Sequence, residues 1–160
     1  MSCNKLKRFH AEESGQSLVE FVLVFSVLLI LVSMAVDISR IIDAKILLQS
    51  AACESVRRIT SRDSMTSEVN NTIKNEYDRL DPSKLHVSIT AGNTKQRNYI
   101  YHARSNFGFV EKNCWFKYFD ATVTLNYDVP IITPVGQLIL GKSVPLTSKN
   151  TRMIVVEGYK

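Results

Sequence analysis

Between Leu18 and Val36 the chain holds roughly 19 residues that are apolar or small, with Glu20 as the only charge, and Asp37 closes the run. An α-helix of that length covers a hydrocarbon core about 30 Å thick. A helix that is apolar all round needs either lipid or the interior of a large protein to cover it. The remainder of a 160-residue chain is too small to supply that interior. The run is therefore expected to be a transmembrane helix over 18–36. Lys5, Lys7 and Arg8 precede it, which places the short N-terminus in the cytoplasm and the C-terminal part outside. An ordinary cleaved signal peptide is the competing reading. It predicts a small-x-small site after the apolar run, whereas here the run passes without a turn into VSMAVDISRIIDAKILL.

A carboxylate inside a membrane segment is costly and points to a function. Glu20 stands at the fifth position after Gly15, behind a basic leader and at the start of the apolar helix. This arrangement resembles the signal of type IV prepilins. The resemblance implies a leader over 1–15, cleavage by a prepilin peptidase between Gly15 and Gln16, and methylation of the new N-terminus. It also implies a role for Glu20 in assembly, as the anion that pairs with the terminal amine of a neighbouring subunit. Gln16 is a mild departure, because that position often carries Met or an aromatic residue and because an N-terminal Gln can cyclise and lose its charge.

No Gly or Pro occurs between Gly15 and Pro82, so the helix is expected to continue past the membrane to about residue 60. A helix over 16–60 would be about 65 Å long. Ile38, Ile42 and Ile46, then Ala52, Val56 and Ile59, recur at helical spacing. Asp37, Arg40 and Asp43 lie three apart, which suggests a ladder of opposite charges on one face. A second amphipathic helix is expected over 67–80, with Val69, Ile73, Tyr77 and Leu80 on one side and Pro82 as its stop. Leu85, Val87 and Ile89 alternate with polar residues, as do Ala121, Val123, Leu125 and Tyr127, and both stretches read as strands. A last strand is expected over 144–156. The fold class is thus α+β, a long N-terminal helix packed on a small antiparallel-sheet head over 61–160.

The segment QSLVEFVLVFSVLLILVSMAVDISRIIDAKILLQSAACESVRR resembles the N-terminal domain of TadE-like minor pseudopilins of the tight-adherence (Flp, type IVb) pilus system. SLVEFVLV and SAACESVRR carry the resemblance, and ATVTLNYDVPIITPVGQLILGKSVPLTSKNTRM is similar to the strand–loop–strand tail of that family. Phe25-Ser26 replaces the frequent Leu-Pro kink, and Ser55 replaces a Gly near the helix end. The resemblance implies a subunit that helps assemble, prime or tip a pilus or related secretion machine. Its partners would be other pilin and pseudopilin subunits, the prepilin peptidase and the inner-membrane assembly platform.

Other chemistry is thinly represented. Removing the leader lowers the net charge from +5 to +4, and the excess is dispersed, which is weak evidence for nucleic acid. KQRNYIYHAR (95–104) mixes basic and aromatic residues that can stack on single strands, but is read first as a solvated strand or loop of the head, and nucleic acid is not the expected partner. NCWFKYF (113–119) reads as hairpin and core packing. Cys53 and Cys114 would share an oxidising compartment, where they form either one disulfide or two separate thiols. His10, His86 and His102 are scattered, and no cofactor or metal site is expected. No nucleophile–base pair or phosphate-binding loop stands out, so an enzyme is not expected. The short apolar piece Val135–Leu140, bracketed by Pro and Gly, is read either as burial against the long helix or as docking on a neighbour or the membrane surface. The competing functions are a single-span periplasmic adaptor that never enters a filament and a DNA-binding competence pseudopilin.

Overall fold

The computed structural model describes residues 3–105 and 108–159; residues 1–2 of the expected leader, and the side chains of 1–14, lie outside that description. The chain forms a helix α1 (Cys3–Arg58), a helix α2 (Met65–Glu76), a 3₁₀ turn (Pro82–Lys84), strands β1 (Leu85–Ala91), β2 (Lys95–Ser105) and β3 (Gly108–Pro130), a short helix α3 (Pro134–Leu140) and strand β4 (Ser143–Tyr159). The fold is α+β with a four-stranded antiparallel sheet. Two compact units are present, one of Met1–Ile41 with Pro130–Val144, the other of Ile42–Val129 with Pro145–Lys160.

In the second unit β3 is the spine. β1 pairs with it from Leu85↔Tyr127 to Ala91↔Ala121, and β2 from Lys95↔Tyr118 to Ser105↔Gly108. Three residues, Gly92 to Thr94, therefore face two, Phe119 and Asp120. β1 and β2 are one long strand interrupted by a bulge of one extra residue. Gly92 donates its N–H to the Asp120 carbonyl at 2.8 Å. A Cβ at Gly92 would stand 3.3 Å from that same oxygen, so the absent side chain lets the bulge close. β4 also pairs with β3, and the Thr147–Asn126 and Thr151–Thr122 side-chain bonds mark its opposite direction.

Alternation along β3 builds the core. Phe119, Ala121, Val123, Leu125, Tyr127 and Val129 are all buried, as the period of two requires. From α1 they receive Leu48, Ala51, Ala52, Ser55 and Val56, and from just beyond its end Ile59, also buried. These recur at helical spacing, and the small residues among them let the helix axis approach the sheet closely. Ile38, Ile42 and Ile46 do not continue this stripe: they are exposed at 48%, 52% and 59%.

Ser55 sits at 0% exposure and its hydroxyl has no hydrogen-bond partner among the described residues. An unsatisfied buried hydroxyl carries a desolvation cost of about 1–3 kcal/mol. Ser55→Ala is therefore expected to raise stability by about 1 kcal/mol, read as a higher urea midpoint of the detergent-solubilised chain at unchanged slope.

α1 ends at Arg58, and several groups satisfy its terminus. Arg57 and Arg58 lie in the last turn, where cations complement the helix dipole. Arg152 donates to the Arg57 carbonyl. Beyond the end, the Thr60 N–H and hydroxyl both donate to Glu68, at 2.9 and 2.7 Å, which ties α1 to α2. α2 begins at Met65 and stops at Glu76, four residues short of the expected Leu80. Tyr77 leaves helical geometry at φ −126°, ψ 45°, and the Leu80 N–H turns back onto the Tyr77 carbonyl at 3.0 Å. Leu80 still reaches the core, from a turn rather than from the helix.

Candidate functional site

The candidate site is the first unit, where the apolar helix carries the charges singled out in the sequence. Only 6% of the most apolar 18-residue window of α1 is buried. Side chains from Leu18 to Val32 all stand exposed, including Phe21 at 67% and Leu31 at 61%. That exposure removes the buried-core explanation, and leaves a helix long and apolar enough to cross a membrane. The two serines of the run donate back to carbonyls one turn earlier, Ser26 to Val22 at 2.7 Å and Ser33 to Leu29 at 2.8 Å, so neither brings an unpaired hydroxyl into lipid.

Gly15, Gln16 and Glu20 lie on this helix, all exposed. Gln16 Nε2 donates to Glu20 Oε1 at 3.2 Å across one turn. Gly15 is unexplained by packing: a Cβ there would meet nothing within 4 Å. Its backbone is not in the positive-φ region, which among the described residues Gly108 and Gly141 occupy. A glycine inside a helix costs about 1 kcal/mol relative to alanine, and here no close approach among the described residues repays it.

Asp37, expected as one rung of a surface ladder, takes a different place in the structure. It is 1% exposed and is not part of a surface ladder. Its Oδ1 accepts the Ile132 N–H at 3.2 Å and its Oδ2 accepts the Thr133 hydroxyl. Thr133 Oγ1 accepts in turn from the Gly136 N–H at 3.0 Å, which caps α3. Arg40, the neighbouring rung of the expected ladder, donates instead to the Pro130 carbonyl at 3.1 Å. Asp37 and Arg40 together therefore fasten the Pro130–Leu140 excursion to α1. Asp43 is exposed and joins neither. The partners of Asp37 lie 95 and 96 residues away, and the only local hint was an Asp at the edge of an apolar run.

The hydrogen bond from Thr133 holds the Asp37 carboxyl below its ordinary value of 3.8, against the opposing effect of burial, with further help from the Ile132 and Thr133 amides and Arg40. A depressed folded-state pKa adds stability that is present above the ordinary value and is lost as pH falls through the lower one. Protection of the Ile132 amide against hydrogen exchange, corrected for the intrinsic rate, is expected to stay level down to about pH 4 and to drop only below that. Asp37→Asn should lower that protection at neutral pH as well.

The two outer cysteines are not brought together. Cys53 is exposed on α1, Cys114 is buried on β3, and both are free thiols; the Asn150 amide sits 2.6 Å from the Cys53 sulfur. Residues 95–104 form β2, exposed along nearly its whole length, and Cys114 and Phe119 of the 113–119 cluster are buried in the sheet as expected.

Residues 15–57 match the family model described as TadE-like protein. The match covers 43 of 160 residues, begins at Gly15 and ends one residue before α1 does. The N-terminal segment is thus TadE-like, and that family suggests involvement in tight-adherence (Flp) pilus systems. No curated protein and no solved structure matches the chain at a significant level.

Proposed function

From a TadE-like segment on a helix long and apolar enough to cross a membrane, we propose that the chain is a minor pilin or pseudopilin of a type IVb, Flp-like pilus or related secretion machine. It is inserted with the N-terminus cytoplasmic and the head extracytoplasmic, trimmed by a prepilin peptidase between Gly15 and Gln16, and passed to an inner-membrane assembly platform. Its role is structural rather than catalytic: the apolar helix packs with other subunits, and the head primes or tips the assembly.

The observation that carries this reading is Gly15. Neither space nor backbone conformation calls for glycine there, while a small residue ahead of the scissile bond suits a protease that must accept a helical segment. The match to the TadE-like model starting at that residue agrees with it. N-terminal mass spectrometry of the native protein is the test. A chain beginning at Gln16, methylated or cyclised, is expected in cells that carry the peptidase, and the full leader in cells that lack it. Gly15→Ala should leave most of the protein uncleaved without altering the head. A native chain that still begins at Met1 beside an active peptidase sinks the proposal in favour of a membrane-anchored adaptor.

A further inference from the structure

The excursion that Asp37 fastens has an unusual distribution of polarity. Its polar groups are turned inward and paired. The Ile131 N–H bonds to the Lys142 carbonyl at 3.0 Å, closing the base, and Gln137 Nε2 donates to the Ile131 carbonyl at 2.9 Å. Its apolar side chains are turned outward. Ile132 is 62% exposed, Leu138 88%, Ile139 59% and Leu140 46%, whereas Ile131 and Gly136 are buried. Burial against the long helix thus accounts for one side of α3 and leaves the other uncovered.

We propose that Ile132 and α3 form a second membrane contact, lying in the head-group layer of the bilayer that α1 crosses, on the side where its apolar run ends. The inference rests on the reading of α1 as a membrane span. Three observations support it. The excursion belongs to the same compact unit as the apolar part of α1, and its anchor, Asp37, is the first residue after that apolar run. The interface it meets is therefore continuous with the one the span already makes. Exposure along α1 first falls at Ser33 and Met34, one turn before the run ends, so protein cover begins at the depth where lipid cover stops.

Charge supplies the third observation. No Asp or Glu occurs between Asp128 and Glu157, and no charge of either sign between Asp128 and Lys142. Lys142, exposed just beyond Leu140, is placed to meet a lipid phosphate. At seven residues α3 is about 10 Å long, too short to span, and of a size to rest its apolar face about 5–10 Å into the boundary between head groups and acyl chains. Internally paired backbone groups are what that depth demands.

The test uses the full chain in vesicles whose acyl chains carry bromine, a quencher of indole fluorescence. Trp115 is the only tryptophan, so Trp115→Phe gives a silent background for one probe at a time. Leu138→Trp is the working probe and Leu28→Trp, within the apolar run, the reference. Both are expected to emit further to the blue than in detergent-free buffer and to lose most of their emission in brominated vesicles. A quenched Leu28→Trp chain beside an unquenched Leu138→Trp chain overturns the proposal and leaves the span intact. An unquenched but blue-shifted Leu138→Trp chain overturns it in favour of a protein partner, such as a second copy. An unquenched Leu28→Trp chain removes the span and the proposal with it. Should Trp115→Phe disturb the head, the same quantities are read as the difference between each probe chain and the parent with Trp115 retained.

Discussion

A Glu20→Ala chain is expected to be cleaved normally after Gly15 and yet to be absent from sheared pilus fractions, remaining with the membrane. On the proposed reading, cleavage would convert Gln16 from an interior residue into a terminal cation, one helical turn from the Glu20 carboxylate that its side chain meets at 3.2 Å. In lipid, Glu20 lies close enough to the end of the run to reach water. Once helices pack side by side that water is lost, and an unpaired carboxylate then carries a heavy desolvation cost. On the proposed reading a neighbour's terminal amine would remove it. Breaking such a pair by deleting one partner costs about 3–5 kcal/mol, which is on the order of a hundredfold or more in incorporation. Glu20→Gln separates charge from hydrogen bonding: it preserves the latter and should fail nearly as badly. Normal recovery of both variants in sheared filaments would remove the charge-pairing mechanism.

Gly136→Ala is expected to release the Pro130–Leu140 excursion from α1. A single Cβ there would lie 2.8 Å from Ile131 Cγ2 and from Thr133 Oγ1, and closer still to Asp37 Oδ2. None of these is the free end of a long side chain. Thr133 is held by Asp37 and by the cap it makes on α3, and Ile131 is 4% exposed. Overpacking of this kind costs about 3 kcal/mol when nothing can give, and opening of the excursion would then rise by about a hundredfold. Trypsin cleavage after Lys142 in the detergent-solubilised chain reports that opening. The clash also predicts a coupling. With Asp37→Ala already in place, Gly136→Ala should add much less than it does alone. Equal, additive effects would show that the two residues do not meet as the structure places them.

The parts of this fold legible in the sequence are those with a local period. The apolar run, the alternation of Leu85, Val87 and Ile89, and that of Ala121 to Tyr127 appear in the structure as the helix and the paired strands β1 and β3. Failures occurred where a distant partner decided. Asp37 and Arg40 have the spacing of a surface charge ladder, but both turn toward backbone and side chains some 90 residues later. Ile38, Ile42 and Ile46 have the spacing of a core stripe, yet all three stand exposed. The end of α2 at Glu76 escaped notice because Tyr77 and Leu80 keep an apolar period after the helix has stopped. For the candidate site, Glu20 stands out in the sequence as a carboxylate within an apolar run, whereas Gly15 is marked there only by the resemblance to the prepilin signal. The cap at Thr133 and Gly136 is not marked there, since nothing in TPVG names its partner.

The bulge at Gly92 bears on how such a head can diverge. Seven paired residues of β1 hold the register of the buried half of β3, and the extra residue lies between them and β2. Beyond it, β2 and the facing stretch of β3 are largely exposed, with Tyr99, Tyr101 and Phe109 at the surface. Residues gained or lost in matched pairs beyond Cys114 in that hairpin would leave the buried stretch from Phe119 to Val129 in place. The head can therefore keep a fixed chassis while its outer hairpin changes length and side chains, which makes that hairpin the place where lineages carrying this fold are free to differ.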